Sequence, residues 1–371
     1  MARKTPELVF LPLGGAGEIG MNLSLYGYGD DWLIVDCGIT FGDERTPGID
    51  VMVPDISFIT DLPEKPLGIV LTHAHEDHLG AVPYLWREIG CPVYATPFAS
   101  GLLRRKLPEA GLEGKVPIRE VPCGGGIEIG PFDLQFVSLA HSVPETQAIA
   151  ITTPAGTILH ATDWKLDSAP LLGPVTDEAA LKQIGDDGVI AMMCDSTNVF
   201  VDGSSGSEGP LRESLIEIVG NCKGRVAIAC FASNVARMET CVAAAQATGR
   251  HVGLVGRSLW RMNEVARECG YLMDCPEFVN VDEIDFLPRE EVLLIVTGSQ
   301  GEAQAALSRI ASGDHRDVSL EAGDTVIFSS KEIPGNEKAI GRIQNRLAAE
   351  GIKIITEDKE FVHVSGHPAR D

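Results

Sequence analysis

The pattern of apolar and polar positions predicts a strand-rich first half. Short apolar runs such as ELVFLPL, PLGIVLT and FDLQFVSL end at Gly, Pro or Asp, which is typical of β-strands closed by turns. MNLSLYGYGDDWLIVDCG predicts two strands about a Gly/Asp turn. GAVPYLWREI and FASGLLRRKLPEA have helical patterns, and Pro83 falls in a first turn, where proline is tolerated. We therefore expect a sheet with interleaved helices.

The second half has a different pattern, which begins after the Gly/Ser-rich stretch at 201–210. Buried-strand runs (RVAIACF, HVGLVG, VLLIVTGS, DTVIFSS, GIKIITE) alternate with helical segments (SNVARMETCVAAAQATG, SLWRMNEVARECG, EAQAALSRIASG, NEKAIGRIQNRLAAEG). Alternation of this kind predicts a largely parallel α/β sheet. Because 371 residues exceed one ordinary core, we interpret the stretch as a domain junction.

A glycine-rich motif, GAGEIG at 15–20, matches the GxGxxG pattern of dinucleotide sites. Such a site needs a helix directly after the glycines, because the helix N-terminus holds the pyrophosphate. Here MNLSLYGYG follows, and it alternates like a strand. We therefore predict a tight turn near the floor of a functional site rather than a nucleotide site.

Charge and cysteine usage narrow the function classes. The formal charge is −23, which argues against a general nucleic-acid coat or a membrane-surface role. Bound divalent cations or a local basic cluster can still hold a phosphate in an acidic protein. The nine cysteines are scattered and never form CxxC, which predicts reduced thiols and a cytoplasmic location. No apolar run reaches the length of a membrane helix.

The strongest chemical signal is HAHEDH, which follows the apolar strand LGIVL and precedes a helix. In an extended loop His73 and His75 project to the same side, while Asp77 and His78 come from the helix entrance. This spacing can supply a nitrogen pair to one metal and an Asp/His pair to a neighbouring one. Mixed imidazole and carboxylate ligands suit zinc, with manganese as an alternative.

Two further candidate ligands end strands elsewhere. His141 closes the strand in SLAHSVPET, and Asp163 follows the strand TILHA. An aspartate placed between two metals can bridge them. Either residue alone would more often be structural, but with the first cluster they predict a metal centre.

These residues resemble the metallo-β-lactamase superfamily. Asp36 in IVDCG matches that superfamily's early aspartate, which orients a ligand histidine. LGGAGEIGMN, DSTN, FASN, TGSQGE, ALSRIASGDHR, IPGN and HVSGH resemble the ribonuclease J family, over nearly the whole chain. The resemblance implies an α/β fold, in which an αββα metallo-β-lactamase sandwich carries an inserted β-CASP domain with a parallel sheet.

The resemblance also implies domain limits. We expect residues 1–205 to form the metallo-β-lactamase-like domain without its last strands, 206–362 the β-CASP domain, and 363–371 the start of the return to the first domain. Family members carry a further ligand histidine in a PxHGE context, and a C-terminal domain, beyond the SGH motif. Because this chain has neither, we expect a shortened form of a longer protein. The alternative is a natural short form, in which the second metal site would be weaker and the activity low.

By resemblance, two zinc ions would bind each chain. His73, His75, His141 and Asp163 would form the first site, and Asp77, His78 and the shared Asp163 the second. The reaction implied is hydrolysis of an RNA phosphodiester. Asp77 would orient the attacking water, and Asp195 and His367 would serve protonation of the leaving oxygen, with His367 as the donor.

Several strand ends in the second half carry small or hydroxyl residues that lead into helices, an arrangement suited to phosphate binding. Helix capping by Ser and Asn is the alternative for any one of them. With the resemblance, we predict a pocket for nucleotide phosphates. Its predicted members are Ser233, Asn234, His363, Ser365, Gly366 and His367.

The resulting hypothesis is a zinc-dependent ribonuclease, a 5′→3′ exonuclease that also cuts internally, acting in RNA maturation and decay. Its expected partners are RNA with a 5′-monophosphate, a second copy of the chain in a homodimer or higher oligomer, and proteins of an RNA degradation complex, with no membrane. The alternatives are a DNA-directed or small-ester hydrolase of the same superfamily, and a non-catalytic RNA-binding subunit.

Overall fold

The structure is a computed structural model that describes residues 7–42, 45–167 and 169–371. It divides into two compact units. Unit 1 contains the described residues up to Asp167 together with Gly173–Ser204 and Gly366–Asp371. Unit 2 contains residues 169–172 and Ser205–Ser365. The chain therefore leaves unit 1 and returns to it.

The first sheet of unit 1 is mixed. The strands before the second sheet are β1 (Leu8–Gly14), β2 (Leu23–Tyr28), β3 (Asp31–Val35), β4 (Thr40–Phe41), β5 (Val51–Met52), β6 (Gly68–Val70), β7 (Val93–Ala95) and β8 (Ile118–Glu120). The sheet order is β1-β2-β3-β6-β7-β8, and β4 pairs with β5 separately. The first three strands are antiparallel, and β3, β6, β7 and β8 are parallel.

The second sheet of unit 1 contains β9 (Gly126–Ile129), β10 (Phe132–Ser138), β11 (Gln147–Thr153), β12 (Gly156–His160) and β13 (Ala191–Met193). Its order is β13-β12-β11-β10-β9, antiparallel except between β12 and β13. In β10 the first residues alternate between buried and exposed, as a strand with one face in a core requires.

The two sheets of unit 1 pack face to face. Leu33 and Val70 of the first sheet share a core with Phe136 and Ile149 of the second. The unit 1 helices are α1 (Ser57–Thr60), α2 (Glu76–Leu79), α3 (Val82–Ile89), α4 (Pro97–Lys106) and α5 (Glu178–Asp187). α4 packs on β7 and β8. Ile184 of α5 packs on the outer face of the second sheet, so helices cover both outer faces.

Unit 2 is built on a parallel sheet. Its strands are β14 (Val226–Ala229), β15 (His251–Val255), β16 (Val292–Val296), β17 (Thr325–Phe328) and β18 (Lys353–Ile355), in the order β15-β16-β14-β17-β18. Its helices are α6 (Glu208–Gly220), α7 (Val235–Ala247), α8 (Arg257–Glu268), α9 (Ala306–Ala311) and α10 (Glu337–Ala349). β14 and β16 are buried at every position, because helices cover both faces of a parallel sheet.

The strands predicted from the sequence are confirmed in both units, and so is the parallel sheet. A strand, β2, follows the glycine-rich turn, as the alternation predicts. EAQAALSRIASG is helical only from Ala306, because Thr297 holds the amides of Ala306 and Leu307 and sets the start of α9 there. The sequence analysis did not predict helices α5 and α6.

In the described ranges, no helix has both the length and the apolar character needed to cross a bilayer.

Candidate metal centre

Strand ends of unit 1 deliver the candidate ligands. His73 lies three residues after the end of β6, and His75 stands at the N-terminus of α2, which carries Asp77 and His78. His141 lies three residues after the end of β10, and Asp163 three after the end of β12. The six side chains therefore come from loops of both sheets and the entrance of one short helix.

The first set of donors has the spacing of a tetrahedral metal site. His75 Nδ1 lies 3.1 Å from His73 Nε2 and 3.2 Å from His141 Nε2. Asp163 Oδ2 lies 3.8 Å from His73 Nε2 and 3.7 Å from His141 Nε2. Ligands about 2.0–2.1 Å from a zinc ion stand about 3.3 Å apart in a tetrahedron. The four donors therefore fit one metal ion.

A second set of donors shares the Asp163 carboxylate. His78 Nε2 lies 3.4 Å from Asp163 Oδ2 and 3.6 Å from Asp77 Oδ2. The ligand atoms of these three residues lie within 4.8 Å of one another, and the same limit holds for the first set. Asp163 Oδ2 therefore has the position of an atom that could bridge two ions.

Each candidate ligand histidine uses its other ring nitrogen for a hydrogen bond. His78 Nδ1 donates to Asp36 Oδ2 at 2.7 Å, and His141 Nδ1 donates to the Gly366 carbonyl at 2.8 Å. His75 Nε2 lies 3.2 Å from Ser142 Oγ. In the neutral ring, a proton on each of these nitrogens leaves the other nitrogen unprotonated and turned towards Asp163, which is the arrangement of a metal-ligating histidine.

The ring of His73 is also held through its second nitrogen, but by way of the Thr72 hydroxyl. Its Nδ1 lies 3.0 Å from Thr72 Oγ1, and that hydroxyl donates to Asp36 Oδ2 at 2.9 Å. Asp36 Oδ1 also accepts the Thr72 amide at 2.8 Å. One buried carboxylate therefore orients His78 directly and His73 through Thr72. These contacts are compatible with the orienting role that the resemblance implies for Asp36, which stays a prediction.

The backbone is strained next to the centre. Asp36 has φ of 64°, and Thr162, directly before Asp163, has φ of 48°. A β-branched residue rarely adopts this left-handed conformation, so it persists only where the surroundings enforce it. Thr162 Oγ1 lies 2.9 Å from Thr72 Oγ1, which joins the two strained loops beneath the ligands.

Burial keeps the imidazoles of the first set neutral. It lowers the pKa of His73 and of His75 well below the ordinary value, and neighbouring imidazoles lower both further. Burial also lowers the pKa of His141, to about 4. A neutral imidazole is the form that binds a metal ion.

In the second set, neighbouring charges outweigh the effect of burial on the pKa values. Burial acts to lower the pKa of His78, but the carboxylates of Asp163 and Asp77 outweigh it and raise that pKa. Burial acts to raise the pKa of Asp163, but His78 outweighs it and holds that pKa well below its ordinary value. The site therefore attracts positive charge, which a divalent ion would supply.

His367 and Asp195 lie beside the ligands. His367 Nδ1 donates to Asp195 Oδ2 at 2.7 Å and lies 3.9 Å from Asp163 Oδ2. Burial acts to lower the pKa of His367, but the hydrogen bond to Asp195 and the charge of Asp163 outweigh it and raise that pKa to about 9. The structure thus brings both residues to the centre, where an imidazole with a raised pKa can donate a proton.

Asn22 is a residue of the centre that the sequence reasoning missed. Its Nδ2 lies 3.1 Å from His78 Nε2 and donates to the Asp77 carbonyl at 3.0 Å. It directly follows the glycine-rich turn and Met21, which has φ of 51°. The expectation that this turn lies near the floor of a site was the available signal for Asn22.

Glu76, inside the HAHEDH motif, forms an ion pair with Lys106, with 2.7 Å between Lys106 Nζ and Glu76 Oε1.

The predicted phosphate-binding residues fall in two groups. Gly366 and His367 belong to unit 1 beside the metal centre, whereas Ser233, Asn234, His363 and Ser365 belong to unit 2. Asn234 has a structural role, because its Oδ1 accepts the Arg237 amide at 2.8 Å and caps α7. This is the capping alternative considered above.

Comparison with known proteins identifies the family. Residues 17–217 match the model of the metallo-β-lactamase superfamily, and residues 223–347 match that of the ribonuclease J β-CASP domain. The chain belongs to the ribonuclease J family. The fold class predicted from the sequence, a metallo-β-lactamase fold with a β-CASP domain, is thereby confirmed.

Relatives in the ribonuclease J family cover almost all of this chain. Ribonuclease J of Sinorhizobium meliloti is 48% identical over 368 residues, which are 98% of this chain and 65% of that protein. The Mycolicibacterium smegmatis ribonuclease J is 42% identical over 96% of this chain and 64% of its own length. That of Thermus thermophilus is 37% identical over 97% and 64%. The chain thus spans just under two thirds of the length of these relatives.

A solved structure has the same fold. The crystal structure of a protein of unknown function from Enterococcus faecalis V583 superposes with a TM-score of 0.66. The match covers 97% of this chain and 88% of that one at 15% sequence identity, so it supports the fold alone.

Proposed function

We propose that this chain carries the catalytic centre of a metal-dependent ribonuclease that hydrolyses RNA phosphodiesters. The supporting observation is that four imidazoles meet at Asp163, each with one ring nitrogen bound to an acceptor and the other directed inward. Family membership and the names of the relatives support RNA as the substrate. We propose 5′→3′ exonuclease action with some internal cleavage, in RNA maturation and decay in the cytoplasm.

We propose zinc as the metal, with two ions per chain and manganese as the alternative. His73, His75, His141 and Asp163 would hold one ion, and Asp77, His78 and Asp163 the other. The three-nitrogen, one-oxygen donor set with near-tetrahedral spacing favours zinc. When bound, such ions lower the pKa of water and neutralise charge on a phosphate.

Side chains of the protein would orient the attacking water and protonate the leaving oxygen. Asp77, whose side chain is 36% exposed, would accept a hydrogen bond from the attacking water and orient it. Asp195 fixes the ring of His367 through Nδ1, so that Nε2 would donate the proton to the leaving 3′ oxygen. The position of these side chains close to Asp163 supports both proposed roles.

For substrate binding, we propose that Ser233, His363, Ser365, Gly366 and His367 contact nucleotide phosphates, with RNA bearing a 5′-monophosphate preferred. Asn234 would contribute through α7, whose first turn it caps. We also propose that the full-length protein is a homodimer or higher oligomer with partners in RNA degradation. Because the formal charge of −23 opposes general binding of a polyanion, RNA would need local contacts of this kind.

The test pairs metal content with cleavage. The 371-residue chain, reconstituted with excess zinc, should hold up to about two ions, the second more weakly than the first, and should shorten 5′-monophosphorylated RNA. His75→Ala should lower both metal content and cleavage, and Asp77→Ala should abolish cleavage. His251→Ala is the matched control, because His251 is exposed in unit 2. Circular dichroism checks that each variant folds.

Side-by-side substrates separate the alternatives. The proposal expects cleavage of RNA well above that of DNA of the same sequence or of a chromogenic ester. Equal or faster cleavage of either alternative substrate would contradict it. Loaded protein that binds RNA without cutting it would favour a non-catalytic subunit.

A further inference from the structure

Arg237 of α7 is a fully buried charged residue in unit 2. Its Nη2 donates to Glu208 Oε1 at 2.8 Å and its Nε to Glu208 Oε2 at 3.3 Å. A buried ion pair of this kind is costly to desolvate and is weak evidence of a stabilising role. We therefore expect the other contacts of the Arg237 guanidinium to indicate its role.

The other side of the guanidinium reaches two segments of unit 2. Nη1 donates to the Ser329 hydroxyl at 2.6 Å and to the Ser329 carbonyl at 2.7 Å. The Ser329 hydroxyl donates to the Val362 carbonyl at 2.6 Å. Nη1 also shares its hydrogens with His363 Nδ1 at 3.4 Å and with the Val362 carbonyl at 3.5 Å. Arg237 thus ties the loop after β17 to the segment that carries His363.

The contact with His363 has a consequence for the ring. A guanidinium has donors only, so His363 Nδ1 must be the acceptor and cannot carry a proton. In a neutral imidazole the proton then lies on Nε2. Arg237 therefore selects one of the two tautomers of His363 and makes Nε2 a hydrogen-bond donor.

We propose that Arg237 is a positioning residue, which holds His363 as the Nε2–H tautomer so that the ring donates to a nucleotide phosphate. The inference rests on the proposed function, in which His363 belongs to the phosphate pocket. Arg237→Lys is the informative change, because an ammonium keeps a charge opposite Glu208 but cannot fork to Ser329 and His363 at once.

Arg225 provides a matched control. It is a second buried guanidinium of unit 2, 1% exposed, and it directly precedes β14. It donates to Asp285 Oδ1 at 2.9 Å and to the Ser319 carbonyl at 3.0 Å. Arg225→Lys should disturb the packing of unit 2 to a similar degree without touching His363.

The first experiment measures the tautomer directly. The 371-residue chain is labelled with ¹⁵N-histidine, and the His363 signals are assigned by their loss in His363→Gln. Nitrogen chemical shifts should show Nε2 protonated and Nδ1 unprotonated in the wild type and in Arg225→Lys. In Arg237→Lys the signals should move towards a mixture of tautomers. A wild-type proton on Nδ1, or no change in Arg237→Lys, would overturn the proposal.

The second experiment measures the preference for a 5′-phosphate. Binding of 5′-monophosphorylated and 5′-hydroxyl RNA oligonucleotides of one sequence is compared. Loss of one charge-assisted contact predicts that the affinity ratio falls about tenfold in Arg237→Lys and is unchanged in Arg225→Lys. His363→Gln should keep most of the ratio, because its amide N–H replaces Nε2–H, whereas His363→Asn should lose it.

The two experiments separate the two proposals. A wild type with the expected tautomer but no preference for a 5′-phosphate would contradict the proposed function of the pocket and leave the role of Arg237 in orienting His363. A preserved preference in folded Arg237→Lys would overturn the positioning role. If Arg237→Lys does not fold, the pair Arg237→Gln with Glu208→Gln removes both buried charges together and takes its place.

Discussion

Asp36 shows how one side chain can control several others. It lies 1% exposed beneath the centre and accepts hydrogen bonds from His78, from the Thr72 amide and from the Thr72 hydroxyl. Through these contacts it sets the ring orientation of His78 directly and of His73 indirectly. We therefore expect the affinity for a metal ion to depend on a residue that lies outside the donor cluster.

Asp36→Asn should lower zinc affinity about 10- to 100-fold, the usual effect of removing such a partner. Asn tolerates the left-handed backbone of this position, so the fold should persist. Chelator competition measures the affinity, and Asp285→Asn, a carboxylate of unit 2 that is 60% exposed, is the control. Unchanged affinity in Asp36→Asn would show that His78 does not need this carboxylate.

Gly38 is required for a close backbone approach. A Cβ at this position would lie 1.6 Å from the Asp77 carbonyl oxygen. Gly38→Ala should therefore displace α2, lower zinc affinity and cost about 3 kcal/mol or more of unfolding free energy. The φ of Gly38 is not in the left-handed region, so the effect would be purely steric.

Gly185→Ala is the control for Gly38→Ala. In α5 its Cβ would meet no atom within 4 Å, so it should leave zinc affinity unchanged. It should stabilise the protein by up to about 1 kcal/mol, because Ala restricts the unfolded chain and suits a helix. Thermal melts with and without zinc measure both variants, and equal effects would contradict the steric account.

At the scale of single elements, α7 links capping to the proposed phosphate pocket. Asn234 caps the helix by accepting the Arg237 amide, and the Arg237 side chain then reaches Ser329 and His363. The cap therefore fixes the first turn from which Arg237 projects.

Asn234→Ala should destabilise unit 2 by about 1 kcal/mol, because the cap is lost. The unfolding free energy of Asn234→Ser should stay within a few tenths of a kcal/mol of the wild-type value, because Ser is nearly as good a cap. Urea unfolding followed by far-ultraviolet circular dichroism measures both variants. Equal destabilisation by the two substitutions would indicate that the amide has another role.

The elements that the sequence predicted are those with an unbroken pattern. Continuous apolar runs predicted β14, β16 and β17, and HAHEDH after such a run predicted a cluster at a strand end. α5 and α6 were missed because Gly185 interrupts the first and Gly209 and Pro210 open the second. Their caps, Asp177 and Ser207, were the available signals.

Within the site, the sequence identified the residue types with metal chemistry but not most of their hydrogen-bond partners. Asn22 ends the LGGAGEIGMN stretch and Ser142 follows His141, but neither residue type by itself indicates contact with a ligand histidine. The Gly366 carbonyl that accepts from His141 is backbone, which carries no signature of residue type, and it lies 225 positions away. Only the folded chain reveals such partners.

At the scale of the whole molecule, net charge and metal binding act on stability together. The charge of −23 is an average over the chain, whereas the metal centre concentrates carboxylates within unit 1. Mutual repulsion of acidic groups opposes the compact state, and cations oppose that repulsion.

Sodium chloride should raise the melting temperature of the metal-free protein, because added ions screen the excess negative charge. Scanning calorimetry between about 0.02 and 0.5 M salt, a range over which the screening length falls severalfold, measures the trend. Sucrose at equal osmolality controls for general solute effects. A melting temperature that falls with salt would show that attractive ion pairs dominate instead.

Zinc should stabilise the protein by mass action, because the unfolded chain lacks the convergent site. At about 100 times the dissociation constant the gain is about 2.7 kcal/mol. His75→Ala should lose most of the shift in melting temperature, while His251→Ala keeps it. A similar shift in both variants would place the stabilising ions elsewhere.

The hydrogen bond between His141 and Gly366 also bears on protein synthesis. The two residues are 225 positions apart, and unit 2 is encoded between them. At about 5–20 residues per second, a ribosome needs roughly 10 to 45 seconds to pass from one to the other. Until then the imidazole lacks its acceptor and His367 has not been made. A nascent chain would therefore have an incomplete metal centre while the messenger RNA that encodes it is still being translated.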